Sequence, residues 1–337
     1  MIAVVISSGG LDVKEVDQPE VRKRDVLIKV MAAGICGTDL AIASRKLKTP
    51  LPLIPGHEFT GEVVQTGEDV NGLKTGNRVT SEINLTCGRC FFCNSGVKTH
   101  CLNRKAIGID VNGALADYIA VPVENIHMLP ESITYEEGVF IEPLAAAIQT
   151  IKMTPISTGS SVAIIGDGRL GQLIAQAIKA NVADSRMLML GKHDSKLGLG
   201  VELGGADIAI NITHEDPVKA VLSETDGLGA NIVVEATGNP NALSLALSIV
   251  RHRGTVALKS THGEQSRIDA SQVAVREITL QGSRCGPFEE AIKLLNEKKV
   301  KVKPLISAKF PLRKAKEAFK FAKKPEALKV ILLPRLE

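Results

Sequence analysis

The sequence contains no tryptophan, and aromatic residues make up only 3% of its 337 residues. Its apolar fraction is nonetheless 44%, which is ordinary for a globular protein. The core must therefore be packed mainly with Val, Ile, Leu and Ala side chains. A chain of this length favours two domains over one.

The sequence also has a small net charge, and we expect neither a membrane span nor a signal peptide in it. The net charge is only +4, and the lysine-rich stretches at residues 298–303 and 320–324 are typical of a solvated surface. No apolar run approaches the length of a membrane span. The first residues lack the basic lead and the length of a signal peptide. We therefore expect a cytoplasmic protein that binds neither nucleic acid nor a membrane.

The six cysteines point to metal binding or catalysis before disulfides, because the chain is expected to be intracellular. Four of them fall within residues 87–101, and four thiolates on one loop match a closed, tetrahedral structural zinc site. Few apolar side chains could hold this loop, so the metal would have to stabilise it. Disulfides are one alternative. A nucleic-acid-binding zinc ribbon is another, which the scarcity of basic residues disfavours. The four cysteines are Cys87, Cys90, Cys93 and Cys101.

The first 140 residues predict short strands and turns, with strands at residues 26–31 and 61–65. Within this β-rich region stand Cys36 and the pair His57 and Glu58. Thiolate, imidazole and carboxylate groups all bind zinc well, and a catalytic zinc takes three ligands from the protein and keeps one position open. Taken singly, a buried cysteine is usually a small hydrophobe, and a lone histidine is usually a satisfied core residue.

A glycine-rich turn separates a predicted strand from a predicted helix in the second half. Residues 162–165 indicate a buried strand, and the apolar spacing from Leu170 onwards indicates a helix. Between them, Gly166, Gly168 and Gly171 form a GxGxxG motif. In such a motif one glycine makes the turn, the next lets the backbone approach a pyrophosphate, and the third permits close helix–strand packing. The motif predicts a dinucleotide site at a helix N-terminus; a glycine turn without a ligand is the alternative.

The remainder of the second half alternates predicted strands with predicted helices, which favours a doubly wound parallel sheet. A helix over residues 134–152, interrupted by Pro143, is predicted to lead into it. The later strands are predicted at residues 187–190, 208–212, 232–236 and 256–258. Helices at residues 288–298 and 312–323 and a strand at 329–333 are predicted to complete the first domain.

Together these motifs resemble the zinc-dependent alcohol dehydrogenases of the medium-chain dehydrogenase/reductase superfamily, over essentially the whole chain. The resemblance implies an α/β protein with two domains. One is a β-rich, GroES-like catalytic domain at residues 1–143 and 283–337; the other is a doubly wound Rossmann domain at residues 144–282. Besides the GxGxxG turn and the four cysteines, the resemblance rests on residues 36–39, 56–58, 113–118 and 233–238.

The resemblance implies that Cys36 and His57 are ligands of a catalytic zinc. The family's third ligand falls at Glu142, as in relatives that act on polyols and sugars. In that branch Glu58 is an alternative ligand, and the two carboxylates can exchange. Both therefore remain candidates.

Thr38 resembles the family's hydroxyl group that hydrogen-bonds the substrate alcohol and begins a proton relay. A histidine often continues that relay, but this chain has Ala41 at the corresponding position. Proton exit through water or another group is therefore expected.

The resemblance also implies a cofactor preference. In the family, an acid twenty positions after the last motif glycine binds the 2′-hydroxyl of NAD and repels a 2′-phosphate. Here Gly191 replaces the acid, and Lys192 and His193 follow, which favours NADP over NAD. The implied cofactor contacts are Gly166, Gly168, Arg169, Leu170, Gly171, Gly191, Lys192, His193 and Thr237.

The expected function is reversible oxidation of an alcohol, namely a polyol, a sugar or a secondary alcohol. A hydride would pass to NADP or NAD, with zinc as a Lewis acid. One alternative is a metal-free enone or quinone reductase of the same superfamily. Another is a non-catalytic, dinucleotide-sensing protein. A homodimer or homotetramer is expected from the resemblance, and Cys285 is assigned no metal role.

Overall fold

The computed structural model describes residues 1–261 and 263–336. The chain divides into two compact units, one made of Met1–Glu142 with Val302–Glu337 and the other of Pro143–Lys301. Across the described residues, no helix combines the length and the apolar character needed to cross a bilayer.

Strands dominate the first unit, and helices alternate with strands in the second. In chain order, the strands are β1 (Ile2–Ser7), β2 (Gly10–Glu15), β3 (Asp25–Ile35), β4 (Glu58–Thr66), β5 (Arg78–Ser81), β6 (Asn84–Leu85), β7 (Lys105–Ala106), β8 (Tyr118–Pro122), β9 (Ile126–Met128), β10 (Ser161–Ile165), β11 (Arg186–Gly191), β12 (Ile208–Asn211), β13 (Ala230–Glu235), β14 (Val250–Leu258), β15 (Thr279–Gly282), β16 (Ile306–Pro311) and β17 (Lys329–Leu333). The α-helices are α1 (Gly37–Ala43), α2 (Phe91–Asn94), α3 (Tyr135–Gly138), α4 (Ile141–Met153), α5 (Arg169–Asn181), α6 (Asp194–Glu202), α7 (Pro217–Ser223), α8 (Ala242–Ile249), α9 (Ala270–Val275), α10 (Phe288–Asn296) and α11 (Ala315–Ala322).

The first unit is built, within the described residues, on a seven-stranded sheet of order β16-β17-β3-β4-β5-β9, with β8 also paired to β3. The long strand β3 lies between β4 and β17 and is antiparallel to both. Gly34 near its end faces Glu58, the first residue of β4. On the other side Ile35 faces Val330 of β17. This pairing places the start of β4 and the start of β17 on either side of Gly34.

The second unit contains a six-stranded parallel sheet, as far as its described residues go, of order β12-β11-β10-β13-β14-β15. Its central strands contain continuous apolar runs, such as residues 162–165 of β10, because helices cover both faces of such a sheet. The strand order reverses between β10 and β13, and a crevice at the carboxyl ends of these strands is where such sheets bind ligands. The predicted β-rich domain joined to a doubly wound domain is confirmed.

The return of the chain to the first unit differs from the sequence-based boundary. Residues 283–301 belong to the second unit, because their polar partners lie there. Glu290 of α10 forms an ion pair with Lys152 of α4. Lys301 donates its backbone N–H to Gln176 of α5 at 2.7 Å. The helix predicted at residues 288–298 therefore does not complete the first unit, whereas α11 and β17 do.

The helix predicted over residues 134–152 is two helices, α3 and α4. Thr134 caps α3 by accepting the backbone N–H of Glu137. Pro143 is the third residue of α4, where a missing N–H breaks no intrahelical hydrogen bond. The proline therefore stands in the first turn of the second helix rather than interrupting a single long one.

Candidate metal and cofactor sites

Cys36, His57 and Glu58 form a compact group in the first unit. One potential ligand atom from each lies within 4.8 Å of the others. Cys36 stands between the end of β3 and the start of α1, and Glu58 begins β4. His57 and Glu58 are buried. Thus two neighbouring strands bring together three residues that are separate in the sequence.

A buried carboxylate, Asp39, ties the two ligand-bearing loops together. Its Oδ2 accepts the backbone N–H of Cys36 at 2.7 Å, and its Oδ1 accepts that of Gly56 at 2.9 Å. Burial raises the pKa of Asp39, despite the lowering influence of His57. Asp39 has no predicted role at sequence level. Its place in the first turn of α1 could have suggested a helix cap, but not the contact with Gly56.

Gly56 itself is required by the backbone. Its φ is +96°, and a Cβ there would lie 2.6 Å from Cγ of Leu115. Only glycine enters this left-handed region without cost. The turn at Gly56 thus lets His57 reach the cluster.

The surroundings of His57 are strongly negative. Burial alone would lower its pKa, but Cys36, Asp39 and Glu142 together raise it well above its ordinary value. Nδ1 of His57 is buried and has no hydrogen-bond partner among the described residues. Clustered anionic groups around an imidazole are the donor set that a divalent cation prefers. The residues present therefore fit a zinc ion.

Glu142 contributes to this field from the first turn of α4. It does not belong to the compact group found among the described residues, whereas Glu58 does. Both candidate carboxylates are therefore near His57, but Glu58 is the one already assembled with Cys36.

Glu58 also pairs with a lysine that the sequence analysis missed. Nζ of Lys329, the first residue of β17, donates to Oε2 of Glu58, and the side chains of Lys329 and Glu58 are 0% and 1% exposed. The ammonium group also lies 5.4 Å from the ring centre of Phe140. The pair crosses β3 at Gly34, where a Cβ would come within 2.9 Å of Oε2 of Glu58. The two residues are 271 positions apart in the chain, so no local sequence pattern could predict this contact.

Thr38 lies in α1 beside the cluster. The thiol of Cys36 donates to Oγ1 of Thr38 at 3.7 Å. The hydroxyl group therefore stands next to a candidate metal ligand, on a residue that is only partly buried. Ala41, in the same helix, supplies no group that could carry a proton onward.

The four-cysteine loop brings its sulfur atoms together. All four lie within 4.8 Å of one another, with Sγ–Sγ distances of 3.5 Å for Cys90–Cys93 and 3.5 Å for Cys87–Cys101. Sulfur atoms around a tetrahedral zinc stand about 3.8 Å apart, given a Zn–S bond of about 2.3 Å. A disulfide would need about 2.05 Å, and all six cysteines of the chain are free. The arrangement fits a structural zinc.

Backbone hydrogen bonds lower the pKa of two thiols in this loop. A hydrogen bond from the backbone N–H of Arg89 lowers the pKa of Cys87 to about 6. The backbone N–H of Leu102 lowers the pKa of Cys90. Burial instead raises the pKa of Cys93 to about 11. Thiolates, not thiols, are the metal ligands, so the backbone favours the binding form of Cys87 and Cys90 but burial disfavours that of Cys93.

Loss of the loop's metal is expected to unfold it locally. Phe91 and Leu102 are 74% and 72% exposed, so few apolar contacts would hold the loop. Replacing Cys93 with serine should lower the thermal midpoint and make residues 87–101 susceptible to limited proteolysis. Cys285→Ser is the matched control and should leave the loop resistant. Resistance of Cys93→Ser equal to that of the wild type would contradict a structural metal.

The glycine turn of the second unit has the geometry that a pyrophosphate requires. Gly166 has φ +125°, so it makes the tight turn after β10. A Cβ on Gly171 would lie 2.0 Å from the carbonyl oxygen of Gly166, whereas a Cβ on Gly168 would meet nothing within 4 Å. Gly171 therefore permits close packing, and Gly168 leaves open space beside the backbone.

A cavity of about 400 Å³ opens at this turn. Three of the predicted cofactor residues, Arg169, Leu170 and Gly171, do not line it; they form the first turn of α5. The predicted residues that line it are Gly166, Gly168, Gly191, Lys192, His193 and Thr237.

Asp167 explains why residue 191 is glycine. A Cβ on Gly191 would lie 2.5 Å from Oδ2 of Asp167. That oxygen accepts the backbone N–H groups of Lys192 and His193 and contacts Nδ1 of His193, each at 2.9 Å. Burial acts to raise the pKa of Asp167, but the hydrogen bonds from His193 and Lys192 outweigh it and lower the pKa.

The interpretation of Gly191 therefore needs correction. The resemblance interprets this position as one where glycine has simply replaced an acid. In the structure the carboxylate of Asp167 fills the space that a side chain at residue 191 would occupy. An aspartate there would collide with Asp167 and is not a usable test of cofactor preference.

Comparison with known proteins agrees with this fold and these sites. The profile of the alcohol dehydrogenase GroES-like domain matches residues 22–131, and that of the zinc-binding dehydrogenases matches residues 170–297. The chain is 33% identical to an L-threonine 3-dehydrogenase of Bacillus licheniformis, over 94% of this chain and 93% of that protein. It is 34% identical to a sorbitol dehydrogenase of Halalkalibacterium halodurans, over 97% and 96%.

The solved structure of a zinc-binding dehydrogenase from Sinorhizobium meliloti 1021, bound to NADP, is also similar. Its TM-score is 0.93 at 30% identity, and the match covers 99% of each chain. The chain therefore belongs to the zinc-dependent alcohol dehydrogenase family of the medium-chain dehydrogenase/reductase superfamily. It is an oxidoreductase that acts on CH–OH groups with NAD(P), and this assignment holds over a metal-free reductase or a dinucleotide sensor.

Proposed function

We propose that this protein oxidises a polyol, a sugar or another secondary alcohol to the carbonyl compound, reversibly, with NADP as the favoured hydride acceptor. The observation that carries the proposal is the buried group of Cys36, His57 and Glu58 beside Glu142. The dehydrogenases to which the chain is similar act on L-threonine and sorbitol. Each of these substrates carries a polar group on the carbon next to a secondary alcohol.

Cys36 and His57 would hold the catalytic zinc together with one carboxylate at a time, Glu58 or Glu142. When bound, zinc would act as a Lewis acid toward the substrate oxygen. Lys329 would neutralise one oxygen of Glu58 and so weaken Glu58 as a ligand relative to Glu142. Cys87, Cys90, Cys93 and Cys101 would hold the structural zinc.

The hydroxyl of Thr38 would accept the proton of the substrate alcohol and pass it to water, since Ala41 cannot carry it further. Bound NADP would accept the hydride from the substrate carbon. Gly166 and Gly168 would let the backbone approach the pyrophosphate of the cofactor, and Thr237 would contact it from the end of β13.

The preference for NADP is proposed from charge. Lys192 supplies a cation beside the cavity where the adenosine ribose would bind, and the carboxylate of Asp167 is occupied by its hydrogen bonds to Lys192 and His193. The similar Sinorhizobium meliloti structure holds NADP. A 2′-phosphate would therefore contact Lys192 and His193 rather than a free carboxylate.

Steady-state kinetics with both cofactors test this preference. The wild type should show a higher kcat/KM with NADP than with NAD. Lys192→Glu should lower kcat/KM for NADP by about tenfold to a hundredfold, because a hydrogen bond to a charged group contributes about 1.5–3 kcal/mol. Lys320→Glu, an exposed charge reversal in the other unit, should change neither value. A wild-type preference for NAD would refute the proposal.

The substrate class can be tested with one panel of compounds. Polyols, sugars, L-threonine, simple secondary alcohols and semialdehydes would each be assayed in the appropriate direction. The proposal predicts the highest kcat/KM among polyols, sugars and vicinally substituted secondary alcohols. Turnover confined to simple secondary alcohols or semialdehydes would contradict it.

We also propose a homodimer or homotetramer, the usual assemblies of this family, and a cytoplasmic location. Six free cysteines fit a reducing compartment, where thiols persist. Light scattering of the purified chain would measure the assembly. A monomer at micromolar concentration would contradict it.

A further inference from the structure

A second polar cavity of the nucleotide-binding unit lies at the amino-terminal end of its sheet. It has a volume of about 340 Å³ and is lined by the turn before β10 and by the first residues of β13 and β14. The cavity with the glycine motif lies at the opposite, carboxyl end of these strands. None of the described residues that line the amino-end cavity is acidic, and two are arginines, Arg251 and Arg253.

A bulge in β14 presents both arginines. The register between β13 and β14 shifts after Ala230, which pairs with Val250, because the next pair is Ile232 with Thr255. Residues 251–254 of β14 thus stand opposite the single residue Asn231 of β13, and Arg253 adopts φ +57°. Bulges redirect side chains and often stand beside functional sites.

The most informative residue of this cavity is Arg251. Its Nε is buried and has no hydrogen-bond partner in the described part of the chain. No other hydrogen bond or ion pair of its guanidinium group is found there either. A guanidinium group carries donors only. Arg251 as a whole is partly exposed, but a buried N–H without an acceptor is still costly. Arg253, by contrast, pairs through Nε with Oε2 of Glu277 at 3.1 Å and is largely exposed.

Further donors surround the same cavity. Oδ1 of Asn231 accepts both the N–H and the hydroxyl of Ser161, so its amide NH₂ group remains available. The turn before β10 is closed by a hydrogen bond from the backbone N–H of Ser160 to the carbonyl of Ser157 at 3.0 Å. Ser157 and Thr158 in that turn are exposed and add hydroxyl groups.

We propose that this cavity binds a phosphate-type oxyanion, either inorganic phosphate or the phosphoryl group of a small metabolite. Arg251 would supply a planar pair of N–H donors that matches two phosphate oxygens. Asn231 and the hydroxyl groups of Ser157 and Thr158 would donate to the others. The oxyanion would give Arg251 the acceptor that the protein does not provide. The site is independent of the dehydrogenase reaction and of the cofactor cavity.

Calorimetric titration of the full-length protein with inorganic phosphate tests the site, with chloride holding the ionic strength constant. Saturable binding is expected in the wild type. Arg251→Gln should weaken it by about tenfold or more, the loss expected for hydrogen bonds to a charged group. Arg313→Gln removes one exposed positive charge from the other unit and should leave binding unchanged. Repeating the titration with saturating NADP, which fills the cofactor cavity, should leave phosphate binding unchanged and so separates the two sites.

A parallel titration with glycerol 3-phosphate distinguishes the two sources of the oxyanion. Tighter binding of the monoester indicates a phosphorylated metabolite, and equal or weaker binding indicates free phosphate. A purely structural Arg251 would instead make Arg251→Gln less stable in phosphate-free buffer. That result, wild-type affinity in Arg251→Gln, or no saturable phosphate binding would each overturn the proposal.

Discussion

Replacing Cys36 with serine is expected to lower kcat/KM for alcohol oxidation by at least about a thousandfold. The variant removes a thiolate from the group of Cys36, His57 and Glu58. Metal activation of the substrate oxygen contributes several kcal/mol to catalysis, and each 1.36 kcal/mol is a factor of ten in rate. Steady-state kinetics with the best substrate of the panel would measure the loss.

Two further measurements show whether the loss is specific. Dinucleotide binding, followed by fluorescence of the reduced cofactor, should be unchanged, because the cavity of the second unit is untouched. Zinc content should fall from two ions to one per chain. Cys285→Ser should retain both zinc ions and full activity. Near-wild-type turnover of Cys36→Ser would refute the assignment of the catalytic metal.

Replacing Lys329 with methionine is expected to destabilise the metal-free protein by about 3–5 kcal/mol. Removing one partner of a buried ion pair leaves an uncompensated buried charge, and here both side chains are inaccessible to water. The loss should be smaller in the zinc-loaded protein, since the cation would neutralise Glu58. Denaturant unfolding with and without zinc would measure both values.

A double variant and a surface control separate charge from packing. Lys329→Met combined with Glu58→Leu removes both charges, and most of the lost stability should return. Lys309→Met breaks the exposed Lys309–Glu136 pair and should cost at most about 1 kcal/mol. A Lys329→Met loss no larger than this would show that Glu58 is not held by charge.

Local patterns predicted the fold well. The apolar run at residues 162–165 and the glycines that follow specify a strand, a turn and a helix, because all three signals act over short distances. The boundaries were less predictable. Pro143 suggested a break where the structure begins a helix, since its effect depends on its position within the helix. The sequence could not predict that α10 belongs to the second unit, because this depends on contacts with α4 and α5.

The candidate site was predictable where residue type alone defines the chemistry. Cys36, His57 and the four-cysteine loop stand out as ligands at sequence level. Asp39, Lys329 and Asp167 do not, because each acts through a contact with a distant segment. Asp167 also changes the interpretation of Gly191, since the space for a side chain there depends on a residue 24 positions earlier in the chain.

The contact between Lys329 and Glu58 can form only after residue 329 has been synthesised. Residues 1–142 leave the ribosome first, but the strand that carries Lys329 is made only after the whole of the second unit. Domains generally fold as units while the chain grows. The second unit can therefore fold before the ion pair between Glu58 and Lys329 has formed. The metal site of the first unit is thus completed only after residue 329 has been synthesised, and a chain truncated before residue 329 has a site that lacks its buried cation.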